Sequence, residues 1–537
     1  MSVTTTTPPV APPRDSRAGD RAEWALAGAL LLVAAAAGLV IASSPTLGVL
    51  AGAGLLLIAA TAVWPTHAVI GYVAVTPLIV GLDRGAVVPG LRLNEVLLAP
   101  LVAGVALAGL YRWYRTGWRR PRGVHRLDAV VLLLAVTGSV TTLLWMYARG
   151  REITGEDVQY ALALWKLAVL YAVVRMFVRE PRAVRATLLV TVASAAFVGA
   201  LGMLQTVGVG PVLDLLGRFV SPGEEGFDAA GSRATSTIGN PHAFGDVLVY
   251  AAVVAGALAV TGRRNRWPIA AVAAALAAGS LASGSFSTAI ALATAGIAFA
   301  VVTGTARWLV AAGIALAPLA YLGLQPVVKS RFSELDPNTG LPASWTDRYG
   351  RLDNLRTYFW PRLGEDFNWL LGVRPTSRVP GVVQPWVYIE SGYTWALWNG
   401  GLPLLLAILA LLVAMFGVGR RLRFAATPEG RALGIALSVM PWTLGVLMFL
   451  DPHLTIRGGA EILFVLLALG ATADGGRPRA APAARRLPPA PSVPFSSSSP
   501  GSGRGGRLSR EETPWHCPPA SRPTRRTSAH PDGGVVG

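Results

Sequence analysis

Long, nearly uninterrupted apolar runs, repeated from residue 24 to residue 474, constrain this chain more than any other feature. A helix needs about 20 mainly apolar residues to cross hydrocarbon, because inside a bilayer every backbone N–H and C=O must be satisfied by a helix or a closed barrel. The runs are too long and too continuous for barrel strands. They predict helices over 24–42, 46–64, 66–82, 95–112, 128–147, 158–178, 187–208, 242–261, 268–283, 286–303, 308–325, 392–417, 432–450 and 459–474. The expected fold class is all-α: a polytopic membrane helical bundle of about 12–14 transmembrane helices, with a large folded extracytoplasmic loop.

Composition narrows the function classes. Hydrophobic residues make up 53% and charged residues 14% of the chain, whereas about a quarter of a soluble protein is charged. The net charge of +18 is carried in short clusters between apolar runs, which marks membrane topology and gives no reason to expect a nucleic-acid partner. The single cysteine, Cys517, lies in a polar tail, so a disulfide framework and a cysteine-based metal site are excluded. Neither a metal nor a cofactor is expected, and no Gly-rich phosphate loop occurs in a suitable context.

Arginines set the orientation. Arg112, Arg115, Arg119, Arg120, Arg122 and Arg126 follow the fourth helix, Arg179, Arg182 and Arg185 the sixth, and Arg263, Arg264 and Arg266 the eighth. Arg307 follows the tenth, and Arg420, Arg421, Arg423 and Arg431 the twelfth. If the helices alternate, all of these fall on the side that also holds Arg14, Arg17 and Arg21, and the positive-inside rule makes that side cytoplasmic. The reading is a plasma (inner) membrane protein with both termini inside: a disordered N-terminus over 1–22, a transmembrane domain over 23–474, and a disordered basic tail over 475–537 in reach of anionic membrane lipids. Two stretches are left outside, 209–241 and 326–389. The second is rich in Trp, Tyr, Phe and Leu and is expected to fold, with a short helix near Arg348–Leu363.

Candidate site residues gather in those outer stretches. Asn240, before Pro241 and His242, is placed to cap the eighth helix, and Arg233 lies just upstream of that positively polarised end. Arg348, Arg351 and Arg356 fall on neighbouring turns of the short helix, where planar guanidinium forks would match phosphate oxygens two at a time. The bland readings are a capped helix with a solvated arginine, and a loop laced by ion pairs to Asp347, Asp353, Glu365 and Asp366. Glu390, near a helix start, is either favoured there by the dipole or a general base; His242 is a second candidate base. Lys166, Arg175 and Asp246 fall inside predicted spans, where charge is costly unless paired; Asp246 and Lys166 are candidates to pair with each other. The outer turn Asp451-Pro-His453 with Arg457 is a minor candidate.

Three segments together resemble the O-antigen ligase and Wzy-type polysaccharide polymerase superfamily. Arg233-Ala-Thr-Ser-Thr-Ile-Gly-Asn-Pro-His242 resembles that family's R-x-x-G-x-x-x-N-P-N helix start, and Arg351-Leu-Asp-Asn-Leu-Arg356 with Leu370-Leu-Gly-Val373 resembles its large outer loop. Ser391-Gly-Tyr-Thr-Trp-Ala-Leu-Trp-Asn-Gly-Gly-Leu-Pro403 resembles its re-entry helix, and the likeness covers about residues 130–470. His242 replaces the family's Asn, and Glu390 stands beside a segment where ligases carry a histidine.

The resemblance implies a membrane glycosyltransferase, a polysaccharide polymerase or ligase in cell-envelope or exopolysaccharide synthesis. Its donor would be an undecaprenyl-diphosphate-linked glycan and its acceptor a hydroxyl of a glycan or lipid, with envelope-assembly proteins as further partners. Arg233, Arg351, Glu390 and His242 become the expected catalytic residues, and Arg348, Arg356, Asn240 and Tyr393 the expected substrate-binding ones. With no evident metal site, the guanidiniums would stabilise the departing diphosphate. The alternative is a transporter or flippase for lipid-linked sugars, although no internal repeat supports it.

Overall fold

The computed structural model describes residues 45–82, 91–116, 123–220, 233–262, 266–346, 350–377, 379, 382 and 387–475. The first predicted helix, the N-terminal segment, Arg348 and the tail beyond residue 475 lie outside the described residues. Among the described residues the chain is helical, with isolated β-bridges at Leu82–Val220 and Leu335–Pro342 and no named strand.

The helices are α1 (Pro45–Val63), α2 (Pro65–Ile79), α3 (Leu93–Thr116), α4 (Arg126–Thr137), α5 (Val140–Ala148), α6 (Gly155–Ala161), α7 (Ala163–Phe177), α8 (Pro181–Thr206) and α9 (Gly210–Phe219). They continue with α10 (Pro241–Thr261), α11 (Arg266–Ser280), α12 (Phe286–Thr303), α13 (Ala306–Gly323), α14 (Gln325–Ser333), α15 (Gly392–Leu422), α16 (Pro428–Leu447) and α17 (Gly459–Gly475). Nine helical stretches among the described residues are long and apolar enough to cross a membrane. The protein is a multi-pass, all-α membrane bundle.

Two predicted spans are interrupted. The run 128–147 divides into α4 and α5 at Gly138-Ser139, where the Thr137 hydroxyl turns back to donate to the Leu133 carbonyl at 2.7 Å. Such back-bonding competes with the helical ladder and bends it. The run 158–178 divides into α6 and α7 at Leu162.

At the centre stands α10, apolar around its circumference apart from polar residues such as His242 and Asp246 and buried along nearly its whole length, as suits a helix surrounded by others. It packs on α8, α11, α12, α16 and α17. Helix α15 packs on α16 and α4 and is broken near its start: Gly401 has φ +65°, and a Cβ there would lie 2.3 Å from the Leu370 carbonyl oxygen. Only glycine tolerates both the conformation and the approach. The break frees carbonyls on α15, which find other donors. Trp398 O accepts from Val373 N at 2.6 Å, and Asn399 O accepts from the Thr142 hydroxyl.

Those contacts dock the long loop. As expected, it is folded: Phe359 is fully buried and meets Trp398 edge to face at 5.0 Å, and Trp398 Nε1 donates to Thr376 O at 2.8 Å. The short helix predicted near 348–363 is a helical run of three pieces, Arg351–Asn354, a π turn over Leu355–Phe359, and Trp360–Gly364.

Charge pairs separate the two ends of the bundle. Around the last turns of α15 and α17, His125 and Arg421 hold Asp474 at 3.1 and 2.6 Å, Arg175 pairs with Asp128, and Arg423 donates to Val302 O at 3.0 Å. At the other end, before the start of α15, lie Glu390, Arg351 and Asp451. Arg175, Arg421 and Arg423 thus share one end of the bundle.

Candidate functional site

A cavity of about 1640 Å³ opens at the end of the bundle defined by the starts of α10 and α15. Its polar wall carries Arg233, Asn240, His242, Arg351, Asp451 and Arg457. Its apolar wall comes from α3 and α7, with Leu98, Val102, Leu164, Trp165 and Val169. Small-molecule pockets typically reach about 300–1,000 Å³, so this space admits something larger.

Local structure explains each polar position. The chain enters α10 through Gly239, in the left-handed conformation at φ +70°, and Asn240 then caps the helix by accepting from Ala243 N at 3.0 Å. Pro241 occupies the first turn, where its missing N–H is harmless. Arg457 Nη2 donates to Gly239 O at 3.0 Å, tying the α16–α17 connector to this turn. Arg233 lies beside Ser283 O, 3.5 Å from its Nε, and its Nη2 is 3.5 Å from His242 Nε2. His242 Nδ1 in turn is 2.7 Å from the Ser285 hydroxyl and 2.9 Å from that of Ser287.

Arg351 is the most constrained of these groups. Its Nε lies 3.2 Å from Glu390 Oε1, its Nη2 3.2 Å from Asp451 Oδ2, and its Nη1 donates to Leu450 O at 3.0 Å. The guanidinium also lies over the Trp345 ring, 5.7 Å from its centroid. Contacts from Trp345, from Glu390 and from Leu450–Asp451 therefore fix one fork, and Arg351 lines the cavity.

Of the residues expected from the sequence, the cavity brings together Arg233, Arg351, His242 and Asn240. Glu390 stands behind Arg351 rather than in the cavity lining, so its carboxylate aims the guanidinium. Tyr393 and Arg356 are not in the lining either. The Tyr393 hydroxyl donates to Gly445 O at 2.8 Å and its ring packs on Phe449, which makes it a clamp between α15 and α16. Arg356 is exposed; the π turn that begins after Asn354 changes the register on which the spacing argument for a shared face relied.

The expected pairing of Lys166 with Asp246 is corrected. Lys166 Nζ is 3.0 Å from Glu461 Oε1 and 3.6 Å from Glu95 Oε1, while Asp246 Oδ2 is 2.6 Å from His453 Nδ1. Helix periodicity shows that a buried charge needs a partner but not which helix supplies it. Arg92, Glu95 and Lys166 also line the cavity, on the α3 and α7 side, and were not expected there as a group. Asp451 and Arg457, minor candidates by sequence, are full members of the wall. The Asp-Pro-His turn between two predicted helices was the available signal.

Outside the spanning helices, Arg374 has its basicity strengthened by two hydrogen bonds to Asp157, at 3.0 and 2.6 Å. That pair anchors the loop to α6. Comparison with the known protein families and with the curated proteins finds no match to the chain.

Proposed function

We propose that this protein is a glycosyltransferase of the polysaccharide polymerase or ligase type, working at the extracytoplasmic face of the plasma membrane. The donor is a glycan on undecaprenyl diphosphate and the acceptor is a hydroxyl of a second glycan or lipid. One observation carries the reading: Arg233 and Arg351, far apart in sequence, line a single large cavity to which two helices of the bundle also bring Leu98, Val102, Leu164 and Val169. A lipid diphosphate needs both kinds of contact.

In the reaction the acceptor oxygen forms a bond to the anomeric carbon as the bond from that carbon to the diphosphate oxygen breaks. The electron pair leaves with undecaprenyl diphosphate. Fixed guanidiniums stabilise the charge that develops on the leaving oxygen more than they stabilise the ground state, which is what lowers the barrier. Direct displacement inverts the anomeric carbon.

The test uses the full chain, purified in detergent, with undecaprenyl-diphosphate-linked glycan from its own host. Longer or transferred glycan is expected, with Arg233→Ala and Arg351→Ala folded but inactive and Arg→Lys only partly restoring turnover, since an ammonium cannot reproduce the planar fork. Turnover without a sealed membrane separates transfer from transport. Normal surface glycan in a deletion strain carrying both alanine variants would overturn the reading.

A further inference from the structure

Behind the polar wall runs a chain of buried groups that gripping a diphosphate does not use. Asp246 Oδ2 and His453 Nδ1 are 2.6 Å apart, and both side chains are wholly buried. Asp246 reaches this depth because Gly459, at the start of α17, has no side chain: a Cβ there would come within 2.9 Å of the Asp246 Cβ. The other ring nitrogen, His453 Nε2, is buried without a hydrogen-bond partner and lies 3.8 Å from Asp451 Oδ2. Asp451 lines the cavity and touches Arg351. The order is carboxylate, imidazole, carboxylate, cavity.

With Nδ1–H given to Asp246, an unprotonated Nε2 would point its lone pair toward a carboxylate, which repels it. A protonated Nε2 faces Asp451 favourably. His453 accordingly titrates above the ordinary histidine range: burial opposes the charge, and Asp246, with Asp451, outweighs it. The charged or titratable groups that face it are Asp246, with Tyr250 beside it, and His242 from α10, Arg351 from the loop, and Asp451 from its own connector.

Resting on the glycan-transfer reading, we infer that Asp451 accepts the proton of the acceptor hydroxyl, and that His453, held by Asp246, is a positioning residue that orients Asp451. As the O–H bond of the acceptor breaks, its electrons form the new glycosidic bond, its proton moves to Asp451, and undecaprenyl diphosphate departs with the other pair. The proton passes to water when product leaves. His242 is engaged by Ser285 and Ser287, and Glu390, held like Asp451 by Arg351, does not line the cavity as Asp451 does.

The test measures rate against pH with the full-length protein in detergent and the host's lipid-linked glycan, and binding with farnesyl diphosphate as a separate probe. Asp451→Asn is expected to lose about 10²–10⁴-fold in turnover, the usual range for a general base, while still binding farnesyl diphosphate. Asp246→Asn and His453→Gln are expected to move the acidic limb of the rate profile upward by about one pH unit or more, because a cation facing the base is gone. Histidine-labelled nitrogen NMR of the unaltered protein should show His453 carrying two ring protons at neutral pH, a readout that survives if a variant fails to fold. Wild-type-like turnover in Asp451→Asn, an unmoved limb in both positioning variants, or a singly protonated His453 would each overturn the inference. Absence of turnover in the unaltered protein at every pH, with His453 doubly protonated, would instead overturn the proposed function.

Discussion

Glu390 Oε1 lies 3.2 Å from Arg351 Nε, so the carboxylate that follows the long loop is committed to a guanidinium instead of facing open space. Replacing it separates aiming from proton transfer. Glu390→Gln keeps an acceptor for the Nε–H and should retain turnover within about tenfold, whereas a general base would lose about 10²–10⁴-fold. Glu390→Ala should weaken farnesyl diphosphate binding, read by calorimetry, because Arg351 loses one of its fixed partners.

Lys166, on the α7 side of the cavity, and Glu461 offer a stability test read without turnover. Glu461 is buried and also accepts from Gly458 N at 2.6 Å, so Lys166→Ala strands a carboxylate inside the bundle. Removing one partner of a buried pair typically costs about 3–5 kcal/mol. Thermal melting in detergent should show that loss, and the double variant Lys166→Met with Glu461→Leu should recover much of it.

Stability should depend on pH through His453. Its folded value is raised above the unfolded 6.5, with burial working against the shift and Asp246 and Asp451 driving it. A raised value means that the contribution is complete below pH 6.5 and fades as pH climbs through the folded value. Melting temperatures of the unaltered protein should therefore fall over that window more steeply than those of His453→Gln; parallel curves would sink the assignment.

Gly401→Ala should undo the docking of the loop. The new Cβ meets the Leu370 carbonyl at 2.3 Å in a backbone conformation hostile to side chains, whereas Gly417→Ala in the same helix meets only Arg421 Nη1 at 3.8 Å. Limited proteolysis within residues 333–390 should accelerate in the first variant and not in the second.

The bundle was largely legible in the sequence, because the bilayer forces apolar length on every spanning segment; thirteen of the predicted spans, from 46–64 to 459–474, coincide with described helices or helix pairs. The breaks at Gly138 and Leu162 were not, since a hydroxyl turning back on its own helix leaves hydropathy unchanged. Arg233, His242 and Arg351 were legible as a set through motif order, and Asn240 through its capping chemistry. Arg356 was misplaced by assuming a regular helix across what is a π turn. Asp451 was undervalued because its worth lies in contacts with Arg351 and His453, and only the fold brings Arg351 to it.

Arg351 also orders events during synthesis. Its acceptor at Leu450 lies 99 residues further along the chain, and Asp451 follows directly. Until the ribosome has delivered the turn between the last two helices, the arginine has Glu390 and the Trp345 ring but neither Leu450 nor Asp451, and Lys166 has Glu95 but not Glu461. The wall is therefore completed last: a chain that stops before that turn carries Arg233 and Arg351 but lacks Asp451 and Arg457.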